Sequence, residues 1–128
     1  MESGAYKMKL AFTLKTRADN SSLERRFGRC PYFLIVDTDS GKRGIMENPA
    51  LQSQHGAGTQ AAQFLVEEGV EAVISGDIGP NAYSVLDAAG VRMYSATEKP
   101  VENLLSDFQD GNLRRATPRG GRGRGRRR

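Results

Sequence analysis

The apolar pattern of this chain changes period near its middle, and that change restricts the folds open to it. Met8, Leu10, Phe12 and Leu14 alternate with Lys9, Thr13 and Lys15, which predicts a half-buried strand. Arg17–Glu24 is polar and reads as a loop. Tyr32–Val36 is a continuous apolar run and predicts a well-buried second strand. Asp37-Thr38-Asp39-Ser40-Gly41 has the chemistry of a hairpin turn. Lys42–Glu47 then makes a third, shorter strand, ended by Asn48-Pro49. The first half is thus an antiparallel meander.

The second half repeats at helical spacing. Gly58–Glu68 predicts a helix with Ala61, Ala62 and Leu65 on one face and Gly69 as its stop. Glu71–Ser75 predicts a strand, with Ala72-Val73-Ile74 apolar on both faces as in a central parallel strand. Pro80 suits the first turn of a helix. Ala82, Val85, Leu86 and Ala89 follow at i, i+3, i+4 and i+7, and Gly90 ends that helix. Val91–Ser95 is the last predicted strand. Val101, Leu104, Leu105 and Phe108 mark a third helix, stopped by Gly111. The order β-β-β-α-β-α-β-α predicts an α/β fold: a mixed five-stranded sheet with helices on both faces, in three α/β/α layers. It resembles the order of the ribonuclease-H-like architecture.

Charge divides the chain. The last 15 residues carry eight arginines and no acid. The whole chain is +4, so the tail's +8 leaves −4 for residues 1–113. Residues 8–113 are expected to form one domain, after a disordered lead-in over 1–7 and before a disordered Arg/Gly-rich tail over 114–128. Cys30 is the single cysteine, so no intrachain disulfide forms. There is no apolar leader and no run of membrane-spanning length, which points to a cytoplasmic protein, monomer or dimer, without membrane partners.

Two glycine-rich loops carry the chemistry. His55-Gly56-Ala57-Gly58-Thr59 precedes the first helix, and Ser75-Gly76-Asp77-Ile78-Gly79-Pro80-Asn81 leads into the second. Unpaired amides at such a helix start suit an anion, and glycine lets the backbone approach it. Both loops can lie beyond the carboxyl ends of parallel strands, where α/β sheets bind ligands. Read blandly, they are tight turns. Arg29 can pair with an oxyanion, and Cys30 can offer a soft ligand or pack as a small hydrophobe. His55, the only histidine, is a ligand candidate. No cluster has zinc spacing. Catalysis has little support. A two-metal nuclease of this fold needs an acid on the first strand, and Met8–Leu14 holds none; Asp77 stands alone.

The tail offers a second class of function. Gly120-Gly121-Arg122-Gly123-Arg124-Gly125-Arg126 is RGG-like, and with Arg119, Arg127 and Arg128 it predicts weak, salt-sensitive nucleic-acid binding.

From Met8 to Leu113 the chain resembles the dinitrogenase iron–molybdenum cofactor biosynthesis family, of the NifX and NifB C-terminal-domain type. The resemblance lies in Phe27-Gly28-Arg29, Tyr32-Phe33, Asn48-Pro49, His55-Gly56-Ala57-Gly58, Gly76-Asp77-Ile78-Gly79-Pro80-Asn81-Ala82 and Ala89-Gly90-Val91. It implies a ribonuclease-H-like fold and non-catalytic handling of metal–sulfur clusters. Members bind or shuttle an iron–molybdenum cofactor or its precursor, and one holds a molybdenum–copper sulfide cluster. Partners would be the donor and acceptor proteins of cluster assembly. On this basis Arg29, His55, Gly56, Gly58, Thr59, Gly76, Ile78, Gly79 and Asn81 are expected to bind the anionic cluster, with Cys30 or His55 in direct contact. Some carriers place a histidine just after the match to Gly90-Val91, where this chain has Arg92-Met93.

Overall fold

Alternation along the strands sorts their side chains to two faces of one sheet. In β1 (Lys9–Leu14), Leu10, Phe12 and Leu14 face one core and Ala11 the other. In β2 (Tyr32–Asp37), Leu34 and Val36 join the first core, while Phe33 and Ile35 join the second. β3 (Arg43–Glu47) completes the meander at the sheet's edge. The computed structural model describes residues 8–18, 21–53 and 56–117.

α1 (Ala57–Glu67) and α2 (Pro80–Ala88) cover one face of the sheet. Ala61, Ala62 and Leu65 of α1 and Ala82 and Leu86 of α2 pack with Phe33, Val73 and Met93. β4 (Ala72–Ser75) lies between these helices in the chain and is buried at every position. β5 (Arg92–Ser95) follows α2. α3 (Val101–Gln109) covers the other face, through Val101 and Leu104 against Phe12, Leu34 and Ile74. The expected three layers and mixed sheet are therefore present.

The sheet order is β3-β2-β1-β4-β5-β6. β1 runs antiparallel to β2, with Phe12 opposite Leu34, and parallel to β4, with Phe12 opposite Ile74. β5 runs parallel to β4. Helix boundaries fall within a residue or two of those expected.

Two expectations are corrected. The sheet has six strands, because Arg114–Arg115 form β6, antiparallel to β5 and opposite Ser95 and Tyr94. The ordered chain thus continues past Leu113, and Ala116 is buried with its N–H bonded to the Met93 carbonyl at 2.9 Å. The segment Arg17–Glu24 holds no strand or helix among its described residues, as expected of a loop, and its Leu23 is fully buried and bridges to Leu14. The lead-in over 1–7 and the tail arginines Arg119, Arg122, Arg124, Arg126, Arg127 and Arg128 lie outside the described residues.

Candidate anion-binding cleft

The parallel strands β1, β4 and β5 end at one edge of the sheet, at Leu14, Ser75 and Ser95. From β1 the chain turns toward β2 on one side, and from β4 it crosses to β5 on the other. The crevice between β1 and β4 is therefore the switch point of the sheet, the position where open α/β sheets take ligands. Both glycine loops lie at this edge, as the topology allows.

Three segments meet there, and small residues set how closely. The loop after β1 runs beside the loop after β4. The Phe27 N–H donates to the Asp77 carbonyl at 3.1 Å, and the Asp77 N–H donates to the Arg25 carbonyl at 2.5 Å. A Cβ on Gly76 would stand 2.6 Å from the Arg25 Cα, so only glycine fits. A Cβ on Gly58 would lie 3.4 Å from that of Ala82, which places the first turns of α1 and α2 side by side.

Both of these helices begin on glycine. The N-cap of α1 is Gly56, at φ 70°, and that of α2 is Gly79; neither helix has a side-chain cap. The first helical bonds run from Gln60 N–H to the Gly56 carbonyl and from Tyr83 N–H to the Gly79 carbonyl, each 2.9 Å. The earlier amides of Gly58, Thr59, Asn81 and Ala82 donate to no described residue. Such amides carry the positive end of the helix dipole. They border a cleft of about 420 Å³, lined by Arg26–Arg29, by Gly56–Thr59 and by the Asp77–Ala82 segment apart from Ile78. Arg29 and Arg26 add positive charge there, and Asp77 is the one acid among the described lining residues. The Arg26 Nε also lies 3.7 Å from a Glu24 carboxylate oxygen.

The structure thus gathers Arg29, Gly56, Gly58, Thr59, Gly79 and Asn81 around one cleft. Three of the expected residues do not line it. Ile78 is 1% exposed and packs in the core, because the ladder beside Phe27 turns both side chains inward. Gly76 is buried beneath the cleft, where it makes room for Arg25. Cys30 has no exposure, and burial, with the Glu24 charge second, pushes its thiol far above the usual range. It packs as a small hydrophobe with its proton retained. His55 lies outside the described residues. Among the described residues no group of three His, Cys, Asp or Glu side chains is placed to hold a metal ion.

Sequence reasoning missed Arg26 and Asn48. The Arg26 signal was its place one residue before Phe27-Gly28-Arg29. Asn48, 4% exposed, follows the end of β3 as expected, and its Nδ2 also donates to the Cys30 carbonyl at 2.9 Å.

The profile of the family described as Dinitrogenase iron-molybdenum cofactor matches residues 8–111. The chain belongs to this family. One relative is the uncharacterized protein MJ0580 of Methanocaldococcus jannaschii. It is 37% identical over 109 residues, spanning 83% of this chain and 89% of that protein. The fold is shared with the apo form of the orange protein from Desulfovibrio gigas. There the TM-score is 0.82 at 29% identity, covering 87% of this chain and 94% of that one. A candidate NifB protein from Thermotoga superposes with a TM-score of 0.77 at 34% identity, over 89% of this chain and 99% of its own. No helix among the described residues is long and apolar enough to cross a membrane.

Proposed function

We propose that this protein is a non-catalytic carrier for an anionic metal–sulfur cluster of the iron–molybdenum-cofactor type, or for a precursor of one. The observation that carries this reading is the pair of uncapped helix starts. The first turns of α1 and α2 lie against each other, open on one cleft, and leave the amides of Gly58, Thr59, Asn81 and Ala82 without a protein acceptor among the described residues. Two convergent dipoles attract an anion without the desolvation cost of burying many charged side chains. Arg29 offsets further charge. Family membership supports a metal–sulfur cluster as that anion.

A carrier must also release its cargo. Binding through amides and one or two arginines is reversible, and the protein would accept the cluster from one assembly partner and pass it to another. His55 directly precedes the Gly56 cap in the chain and is the candidate for a direct ligand. Cys30 is not given that role, because its buried thiol is held protonated and metal ligation requires the thiolate.

The test is to purify the protein anaerobically, assay metal and acid-labile sulfide, and titrate the metal-free chain with tetrathiomolybdate. Bound metal with sulfide is expected, together with amide NMR shifts centred on Gly58, Thr59, Asn81 and Ala82. The Arg29→Ala variant should bind roughly tenfold more weakly, in line with a charge-assisted hydrogen bond. A chain that carries no metal and leaves these amides unshifted would overturn the carrier reading.

A further inference from the structure

Asn48 is a polar side chain that ties the cleft's arginine loop to the rest of the domain. It follows β3 and is almost fully buried. Its Nδ2 donates to the Cys30 carbonyl at 2.9 Å and to the Gly28 carbonyl at 3.2 Å. Its Oδ1 accepts the Ala50 N–H at 2.9 Å, and its own N–H donates to the Pro31 carbonyl at 3.0 Å. An asparagine amide has two N–H donors and one oxygen, and all are engaged.

The two carbonyls that Asn48 holds belong to the residues on either side of Arg29. The backbone is therefore anchored immediately before and after the exposed arginine that lines the cleft. Gly28, on one flank, is also in close approach to Gly58 at the first turn of α1. Slack in this turn would displace Arg29 and the loop–helix contact together.

We propose that Asn48 is a positioning residue of the cleft: it fixes the Gly28–Cys30 turn so that Arg29 meets the bound anion. This role rests on the anion-binding function proposed above. It acts through Arg29, and Asn48 itself does not touch the anion.

The informative variant is Asn48→Asp in the full chain. It keeps the shape and the acceptor for Ala50, but turns a second oxygen toward the carbonyls of Gly28 and Cys30. Asn48→Ser, uncharged and with a single donor, serves where the buried carboxylate prevents folding. Each is compared with wild type by amide NMR, by order of residues 28–31 in the free chain, and by tetrathiomolybdate titration. The expected result for Asn48→Asp is a folded chain with a loosened 28–31 turn and affinity lower by about tenfold or more, with Asn48→Ser between. In an Arg29→Ala background Asn48→Ser should cost less than about twofold, because a residue acting through another adds nothing once that other is gone; the uncharged variant is used for this comparison because the carboxylate of Asn48→Asp would itself repel an anion. A folded variant with wild-type affinity, or an equal loss in both backgrounds, would overturn the role and leave the carrier function standing. A wild-type chain that does not bind the probe would overturn both.

Discussion

A Cβ on Gly28 would stand 3.0 Å from both the Cα and the amide nitrogen of Gly58. The atoms it would meet are helix backbone, which cannot rotate aside as a side chain can. This contact joins the loop after β1 to the first turn of α1 and sets the width of the cleft. Gly28→Ala is expected to cost about 1–3 kcal/mol, the usual range for overpacking. It should also weaken tetrathiomolybdate binding, because the loop that carries Arg29 must withdraw. Urea denaturation read alongside the titration checks both; an unchanged midpoint would show that the loop can move freely.

Gly58→Ala separates stability from binding. Its Cβ would meet the Ala82 Cβ at 3.4 Å, an ordinary contact, and alanine favours helix over glycine. Stability is expected to hold or rise by about 0.5 kcal/mol. The methyl would nevertheless stand between the two uncapped first turns and compete with an anion for the amides. Lower tetrathiomolybdate affinity with an equal or higher melting temperature is the expected outcome. Unchanged affinity would move the binding site away from this junction.

Most strands and helices were legible because their apolar residues recur at the spacing of a buried face or, in β4, form one continuous buried run. Ala72-Val73-Ile74 reads as a central strand, and Ala61, Ala62 and Leu65 read as one side of a helix, with no need of tertiary knowledge. β6 has no such signal. Arg114 and Arg115 are exposed, and their strand exists because the edge of β5 offers unpaired backbone groups. The cleft was legible in outline, since glycine loops before helices follow a general rule. Its interior was not. Whether Ile78 or Asp77 faces the cleft depends on the bridge between Arg26 and Asp77, a pairing across about fifty residues that no local pattern encodes. Cys30 was ambiguous for a related reason: it is buried in the core cluster that holds Phe27 and Phe33, with the Asn48 Nδ2 3.8 Å from its sulfur, an environment that no local pattern encodes.

The two-residue strand β6 is expected to contribute to stability. The Ala116 N–H bonds to the Met93 carbonyl, and the Arg115 guanidinium lies 5.8 Å from the centre of the Tyr94 ring. A chain ending at Leu113 loses the β5–β6 pairing, the Ala116 bond, the buried Ala116 methyl and an exposed cation–π contact, and is expected to be less stable than one ending at Thr117 by at least about 1–2 kcal/mol. Denaturation of the two truncated chains side by side decides it. Equal stability would mean that the β5 edge gains nothing from its cover.

The buried thiol of Cys30 gives the fold a pH limit on the alkaline side. Burial, aided by the Glu24 charge, raises its pKa well above the ordinary thiol value of 9.0. In the unfolded chain the thiol loses its proton as pH passes about 9, while the folded chain keeps it. Above that pH the native state binds more protons than the unfolded state, so the free energy of unfolding falls as pH rises. The contribution is complete below the unfolded value and declines above it, with a slope approaching about 1.4 kcal/mol per pH unit. Lysines and tyrosines titrate in the same region, so the comparison is with Cys30→Ala, which shares them. The stability advantage of the wild type over this variant should shrink steadily as pH rises from about 8.5 to 10.5, the window set by the unfolded thiol. A difference that stays constant across that window would mean that Cys30 ionises as readily in the folded chain as in the unfolded one. In that case it would also react with thiol reagents at the rate of an exposed cysteine, whereas the buried thiol should react only as fast as the fold opens.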